Sequence, residues 1–387
     1  MASYNQLSKY NWQVVVSLGY GEDGKKRRIK KQGFKNKKDA ERFVTETQDK
    51  RNKGYVTPNS NNVLFKDFIL QWFNDFKSNT LGINTKNSYI SRLDYHIIPK
   101  LGKYKLTDIS TLIVQDFYND LINEKNLCPS SAKKIIEILN NCFKYAKKNK
   151  LIYEVPTDIE KLKINTPSIQ YWSKKEVDYF LNQIKGSYLY TPILIDILTG
   201  LRIGELCGLK WQDIDLHNGN INVNNQIIFD KSTKELIYTS LLKTDQSQRR
   251  ISIPPLLITH LKALKDGEKA LENDYVVMNR SGLVCTPRNL SMDFTKRIAK
   301  YEQSIEKREE CGGDISNYMQ LKRISFHGLR HTHSTLLILN GENIKVVSDR
   351  LGHKDITTTL NNYTHVMEEM KQNTSALLED MFKNSIE

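Results

Sequence analysis

Two breaks in the apolar pattern decide most of what this chain can become. One runs from Tyr55 to Asn62, where Pro58 is followed by Asn and Ser residues; the other lies between Pro156 and Pro167. Proline lacks a backbone donor and these polar stretches bury little, so neither break fits inside a packed helix or a central strand. The 387 residues are therefore expected to divide into three pieces, 1–57, 58–166 and 167–387, rather than to build one core.

Each piece has its own periodicity. In the first, Trp12 to Leu18 reads as a strand, Gly19 to Gly24 as a turn and Lys25 to Lys31 as a second, strongly basic strand. A helix is expected from Asn36, with Ala40, Phe43 and Val44 turned inward. The glycines do not make a phosphate loop, because no Gly-Lys-Ser/Thr follows them and they open no helix. The second piece is all-helical: Phe65, Phe68, Ile69, Trp72, Phe73 and Phe76 recur at helical spacing and read as core, with further helices over 85–96, 107–123 and 130–148. The third opens on the capping box Ser173-Lys174-Lys175-Glu176. A helix ending at Thr199-Gly200 follows, and helical pattern from Glu205 to Lys210. Short strands are expected at 221–223, 226–229, 236–242 and 249–253, and mostly helix from His260 onward. The fold class is thus α+β, multidomain and mainly helical: a small basic sheet with a helix, a helical block, and a mixed α/β domain.

Charge separates the pieces further. The chain holds 58 Lys+Arg against 44 Asp+Glu, a net +14, of which residues 1–57 carry +8, 58–166 carry +5 and 167–387 only +1. A basic front on a near-neutral back points to a polyanion held by the front, and to nucleic acid as that polyanion. Lys25, Lys26, Arg27, Arg28, Lys30 and Lys31 are the candidate phosphate contacts. The competing account of the same strand is a solvated edge, where lysines discourage aggregation. No apolar run spans a bilayer; the best, Ile193 to Leu201, is broken by Asp196. No apolar signal region follows Met1, and the five cysteines never form C-x-x-C. A cytoplasmic protein, associated with the nucleoid when bound, is expected, without a zinc ribbon and without a membrane partner.

Polar motifs stand out in the third piece. Arg202 occupies a glycine-flanked helix start in Thr199-Gly200-Leu201-Arg202-Ile203-Gly204-Glu205, with Glu205 one turn on, where it can orient the guanidinium. In Phe326-His327-Gly328-Leu329-Arg330-His331, His327 and Arg330 are one turn apart. His327 and His331 have the spacing of half a zinc helix, but glycine fills position 328 and no further ligands complete a site. Leu351-Gly352-His353 ends a helix at Gly352, and Tyr363 follows ten residues after His353.

Together these pieces resemble the tyrosine recombinase family, the phage-type integrases. The family pattern is an Arg after Thr-Gly-Leu/Met, a Lys on a β-hairpin, His-x-x-Arg, Leu-Gly-His and a tyrosine nine or ten residues beyond. It falls here on Arg202, Lys243, His327 with Arg330, His353 and Tyr363, in that order. The resemblance covers Val63 to the C-terminus, and the basic front is similar to the arm-binding domain of mobile-element integrases.

The resemblance implies a site-specific DNA recombinase of a phage or integrative element, joining DNA through a 3′-phosphotyrosyl intermediate. In that scheme Tyr363 is the nucleophile, Arg202 and Arg330 clamp the phosphate, and Lys243 protonates the departing 5′-oxygen. His353 and His327 donate hydrogen bonds or move protons, and Glu205 orients Arg202. No metal, ATP or other cofactor is implied, because the covalent link conserves the phosphodiester energy. The implied partners are double-stranded DNA at core and arm-type sites, further copies of the chain in a tetrameric synapse, and an accessory protein for DNA bending or excision. A helix carrying Met367, Met370, Leu377, Leu378, Met381 and Phe382 would dock on a neighbouring protomer or pack within its own. Two other readings are a Xer-type chromosome-dimer resolvase, which typically lacks such a basic front, and a catalytically idle DNA-binding regulator, which would need a defect among the six positions.

Overall fold

In the computed structural model, which describes residues 2–20, 26–52, 63–164, 169–240, 248–362 and Phe382, the N-terminal piece is a three-stranded antiparallel sheet with one helix. Strands β1 (Ala2–Ser8), β2 (Asn11–Tyr20) and β3 (Lys26–Phe34) lie in that order. Helix α1 (Lys37–Asn52) is capped by Asn36, whose Oδ1 accepts from the Asp39 amide at 2.8 Å. Val14, Val16 and Val44 form the small core, with Phe34 and Phe43 packed against it. The register pairs Val14 with Lys31, Val16 with Ile29, Val15 with Lys30 and Ser17 with Arg28. Cross-strand partners share a face, so Ile29 and Lys31 stand on the valine side and Arg28 and Lys30 on the other. β1 was not expected: Ala2-Ser3-Tyr4-Asn5-Gln6-Leu7-Ser8 has too little apolar alternation to announce a strand, and it forms by pairing to β2.

The helical block begins with α2 (Phe65–Gln71), which runs into a π-helical turn, Trp72–Lys77. Helix α3 (Ile83–Arg92) passes through a second π turn, Leu93–Ile97, into α4 (Ile98–Leu101). Helices α5 (Thr111–Asn123) and α6 (Pro129–Lys148) complete it. Phe65, Ile69, Trp72, Phe73, Phe117, Leu139 and Phe143 are buried in one core, where Phe65 stacks on Phe143 at 5.1 Å between ring centres. Phe76 is a correction to the aromatic stripe: it is 51% exposed. The π turn takes more residues per turn than an α-helix, which rotates Phe76 off the line set by Phe65 and Phe73. The segment 107–110 is not helical either, because Ser110 is the N-cap of α5 and its Oγ accepts from the Ile113 amide.

The chain divides into two units, 1–166 and 167–387. The second opens on α7 (Lys174–Gln183), where both bonds of the capping box form: Glu176 N to Ser173 Oγ at 3.3 Å and Ser173 N to Glu176 Oε2 at 2.7 Å. Helices α8 (Tyr190–Thr199) and α9 (Ile203–Cys207) follow. Helix α9 stops short of Lys210; a Cβ on Gly208 would meet the Gln226 backbone at 3.0 Å, so the chain passes close to a strand there. Strands β4 (Ile214–Asp215), β5 (Asn220–Val223), β6 (Asn225–Asp230), β7 (Glu235–Ser240) and β8 (Arg249–Ser252) form a sheet ordered β4-β5-β8 and a separate β6-β7 hairpin. Then come α10 (Pro255–Glu268), α11 (Pro287–Glu310), α12 (Phe326–Leu339), α13 (Ile344–Leu351) and α14 (Ile356–Asn362). Trp172, Phe180, Trp211, Phe294 and Phe326 sit in one core with the apolar faces of these elements. Among the described residues no helix is long and apolar enough to cross a membrane. Of the expected docking tail, Met367 to Met381 lie outside the described residues, and Phe382 is exposed.

Candidate active site

Two helices of the second unit end in the same way. Helix α8 closes on Gly200 at φ 66° and α13 on Gly352 at φ 66°, both left-handed. Such a cap leaves carbonyls of the last turn without amide donors and gives the helix end partial negative charge. Cationic side chains supply the missing donors. At α13, three consecutive carbonyls each accept from a different arginine: Arg350 O from Arg249 Nε at 2.7 Å, Leu351 O from Arg330 Nη2 at 2.6 Å, and Gly352 O from Arg202 Nη2 at 2.9 Å. At α8, Gly200 O accepts from Arg330 Nη1 at 2.6 Å and Leu198 O from Arg350 Nη2 at 2.9 Å. Arg330 thus bridges both helix ends.

Glu205 lies beneath the cluster with a fully buried carboxylate. Its Oε1 accepts from Arg202 Nη1 at 2.8 Å and its Oε2 from Arg249 Nη2 at 2.8 Å, while Oε2 also takes the Arg202 amide at 2.9 Å. Burial alone would raise its pKa, but the hydrogen bond and charge of Arg249, with Arg202, outweigh burial and hold the carboxyl at about 2. The Arg202 side chain keeps 40% of its surface exposed, whereas Arg249 keeps 7%. Arg330 is 3% exposed, and burial followed by the charge of Arg202 brings its pKa down to about 9, still cationic at neutral pH.

The histidines around the cluster are neutral. Burial, then Arg330 and Arg202, lowers His353 to about 4, and its Nδ1 is 2.8 Å from Thr359 Oγ1. Desolvation and the same two arginines lower His327, whose ring meets His331 edge to face at 4.7 Å. His333, lowered to about 3 by burial, donates from Nδ1 to Ile197 O at 2.8 Å and accepts from Arg350 Nε at 3.1 Å. Asp196 on α8 is 1% exposed, and neither carboxylate oxygen has a hydrogen-bond partner among the described residues. Burial pushes its carboxyl well above the usual range, with Arg330 offsetting part of the effect. Arg202 and Arg249 share the Glu205 carboxylate while Arg330 and Arg350 donate to main-chain carbonyls, an arrangement that favours an incoming oxyanion.

Of the residues expected from sequence, Arg202, Glu205, Arg330 and His353 come together here, with His327 close enough to feel both Arg330 and Arg202. Lys243 and Tyr363 lie outside the described residues. In the N-terminal sheet, Lys25 also lies outside them. Lys26 and Arg27 fall on β3; Arg28 and Lys30 are exposed on the face away from the valines. Lys31 is on the opposite face, its Nζ 4.7 Å from the Phe43 ring centre. Sequence reasoning missed Arg249, Arg350 and His333. A signal for Arg249 existed in the two-residue period of β8, which puts it on the same face as buried Ile251. Among the described residues no group of His, Cys, Asp and Glu could hold a metal ion.

Three family models match the chain: the phage integrase family over residues 170–370, the phage integrase N-terminal SAM-like domain over 64–122, and an arm DNA-binding domain over 3–50. The chain is 29% identical to a XerC-like tyrosine recombinase of Caldanaerobacter subterraneus, covering 98% of each. It is 26% identical to the ICEBs1 integrase of Bacillus subtilis, over 77% of this chain and 79% of the relative. The fold is similar to that of the Tn1549 transposon integrase solved with transposon right end DNA, with a TM-score of 0.65 at 21% identity, covering 80% of this chain and 99% of the other. A lambda integrase dimer on a core site matches with a TM-score of 0.56 at 17% identity, over 93% of both. The ordered arginine, histidine and glycine motifs and the match over residues 170–370 agree: the chain belongs to the phage integrase family of tyrosine recombinases.

Proposed function

We propose that the chain is a site-specific DNA recombinase, an integrase of a phage or integrative mobile element, that cuts and rejoins double-stranded DNA. The observation that carries this reading is the cluster of arginines on two helix ends, with Arg202 partly open to solvent and Arg330 buried behind it. In the proposed reaction the Tyr363 oxygen attacks a DNA phosphorus, and Arg202 and Arg330 offset the charge that develops on the non-bridging oxygens. A phosphotyrosyl bond forms at the 3′ side and the bond to the 5′-oxygen breaks. Lys243 gives that oxygen its proton, and the tyrosine's proton leaves to a base or to solvent. The reverse reaction, with a 5′-hydroxyl from another strand as nucleophile, completes the exchange. His353 enters as a neutral imidazole; with Nδ1 at Thr359, Nε2 is the nitrogen left for a phosphate oxygen.

The arm DNA-binding match over residues 3–50 supports separate arm and core sites, and with them a mobile-element integrase in preference to a chromosome-dimer resolvase. Relatives named as integrases of ICEBs1 and of staphylococcal phage L54a support the same choice. A DNA substrate is the support for a cytoplasmic protein associated with the nucleoid when bound, and the proposal includes a tetramer at synapsis and an accessory bending or excision protein as further partners. A nicked suicide duplex tests the chemistry: the wild type should give an SDS-resistant adduct that protease removes. Tyr363→Phe should bind the duplex and give none; an adduct persisting in that variant overturns the assignment of the nucleophile.

A further inference from the structure

We propose that Arg249 is a positioning residue for the phosphate clamp: it ties Glu205 to the C-terminal end of α13 and thereby fixes where Arg202 and Arg330 stand. The inference rests on reading those two arginines as phosphate ligands.

In this arrangement Arg249 is engaged within the protein, linking three elements at once. Its side chain is 7% exposed; Nε donates to Arg350 O, and Nη1 and Nη2 donate to the two Glu205 oxygens at 3.2 and 2.8 Å. One guanidinium therefore connects β8, the N-terminal turn of α9 and the last turn of α13. It also packs on Gly352, where an added Cβ would meet Arg249 Nη1 at 3.0 Å and Cδ at 3.1 Å. Gly352 O is the acceptor for Arg202, and the neighbouring Leu351 O is the acceptor for Arg330. A shift of this backbone would thus displace both clamp arginines together.

Charge gives Arg249 a second effect. Glu205 must be ionised to orient Arg202, yet a buried carboxylate with Arg202 as its only cation would draw that guanidinium inward, away from a ligand. Arg249 takes both carboxylate oxygens and leaves Arg202 bound through Nη1 to one of them. Lysine cannot reproduce this, since a single ammonium lacks the planar fork that meets two carboxylate oxygens and a carbonyl at once.

The test uses the full chain and the nicked suicide duplex, with single-turnover adduct formation at saturating protein, duplex binding by gel shift, and thermal melting. Arg249→Met is expected to slow adduct formation by roughly 10²-fold, comparable to loss of one oxyanion donor. Duplex affinity should change by no more than about threefold, separating the rate at saturation from binding. Arg249→Lys, which retains the buried charge, should melt near the wild type and recover only part of the rate. Glu205→Gln combined with Arg249→Met removes the uncompensated carboxylate, so it should recover melting temperature without recovering the rate. A wild-type rate in Arg249→Lys, or full recovery of rate in the double variant, would show that Arg249 contributes charge alone and overturn the proposal. Arg330→Ala separates the two levels of argument. If it forms adduct as fast as the wild type, the clamp reading fails; if it is inactive while Arg249→Met retains the wild-type rate, only the role of Arg249 fails.

Discussion

Asp196 shows how much a single side chain can cost this fold. It is a fully buried carboxyl without a hydrogen-bond partner among the described residues, and its pKa lies well above the 3.8 of an unperturbed aspartate. Between that reference value and its raised value, the folded chain holds a proton that the unfolded chain has released. Stability should therefore fall as pH rises above about 4, continuing until the folded-state pKa is passed. Asp196→Leu removes the penalty and should stabilise the second unit by about 1–3 kcal/mol at neutral pH. The gain should be larger at pH 7.5 than at pH 4.5, measured by denaturant unfolding at both; a pH-independent gain would contradict the account. At this scale the sequence was partly readable. Arg202 and Glu205 are three residues apart, a spacing any helix turns into a contact, whereas Arg249 meets Glu205 across 44 residues of sequence. Nothing local to Arg249-Arg250 distinguishes a buried guanidinium from a solvated one except the alternation with Ile251.

At the scale of elements, the Gly200 cap of α8 does two things at once. Its φ of 66° is a conformation that side chains rarely adopt, and an added Cβ would meet the His333 ring at 2.6 Å and Leu351 Cδ2 at 2.9 Å. Gly200→Ala should cost about 2–4 kcal/mol, combining backbone strain with overpacking, and should lower the thermal midpoint of the second unit. Because Gly200 O anchors Arg330, adduct formation should drop even below that midpoint. An alanine variant that melts and reacts like the wild type would show that the cap has slack. Elements closed by local chemistry were readable in advance: the Ser173–Glu176 box, and the ends of α8 and α13 at Thr-Gly and Leu-Gly. Elements made by tertiary pairing were not. β1 depends on β2 for its hydrogen bonds, and the π turn at Trp72–Lys77 breaks the 3.6-residue period on which the placement of Phe76 relied.

Across the whole molecule, charge and reaction chemistry are separated along the chain. Residues 1–57 carry +8 while residues 167–387 carry +1. Deleting residues 1–57 should abolish binding to arm-type duplexes and leave adduct formation on core duplexes intact; equal loss of both would argue against a separate arm function. The salt dependence of arm binding resolves individual contributions. Lys30→Ala, on the open face of the sheet, should reduce the slope of log K against log salt by about 1. Lys31→Ala should reduce it less, because that ammonium sits over Phe43 on the valine side. The total charge was evident from composition, but which face of β3 each cation occupies follows only from its register with β2.

The carbonyls at the end of α13 have one more consequence, for how such a protein can change over generations. Main-chain oxygens hold the arginines in place, and a main-chain oxygen has no letter in the sequence. Side chains along Ile344–Leu351 can be exchanged for others of similar fit without removing a single acceptor. A one-residue insertion or deletion there is different: it rotates the helix end by about 100° and moves all three acceptors together. Apart from Arg350, whose guanidinium donates to Leu198 O and His333, and the buried Val347 and Leu351, drift in composition is cheap along this helix, and drift in length is not.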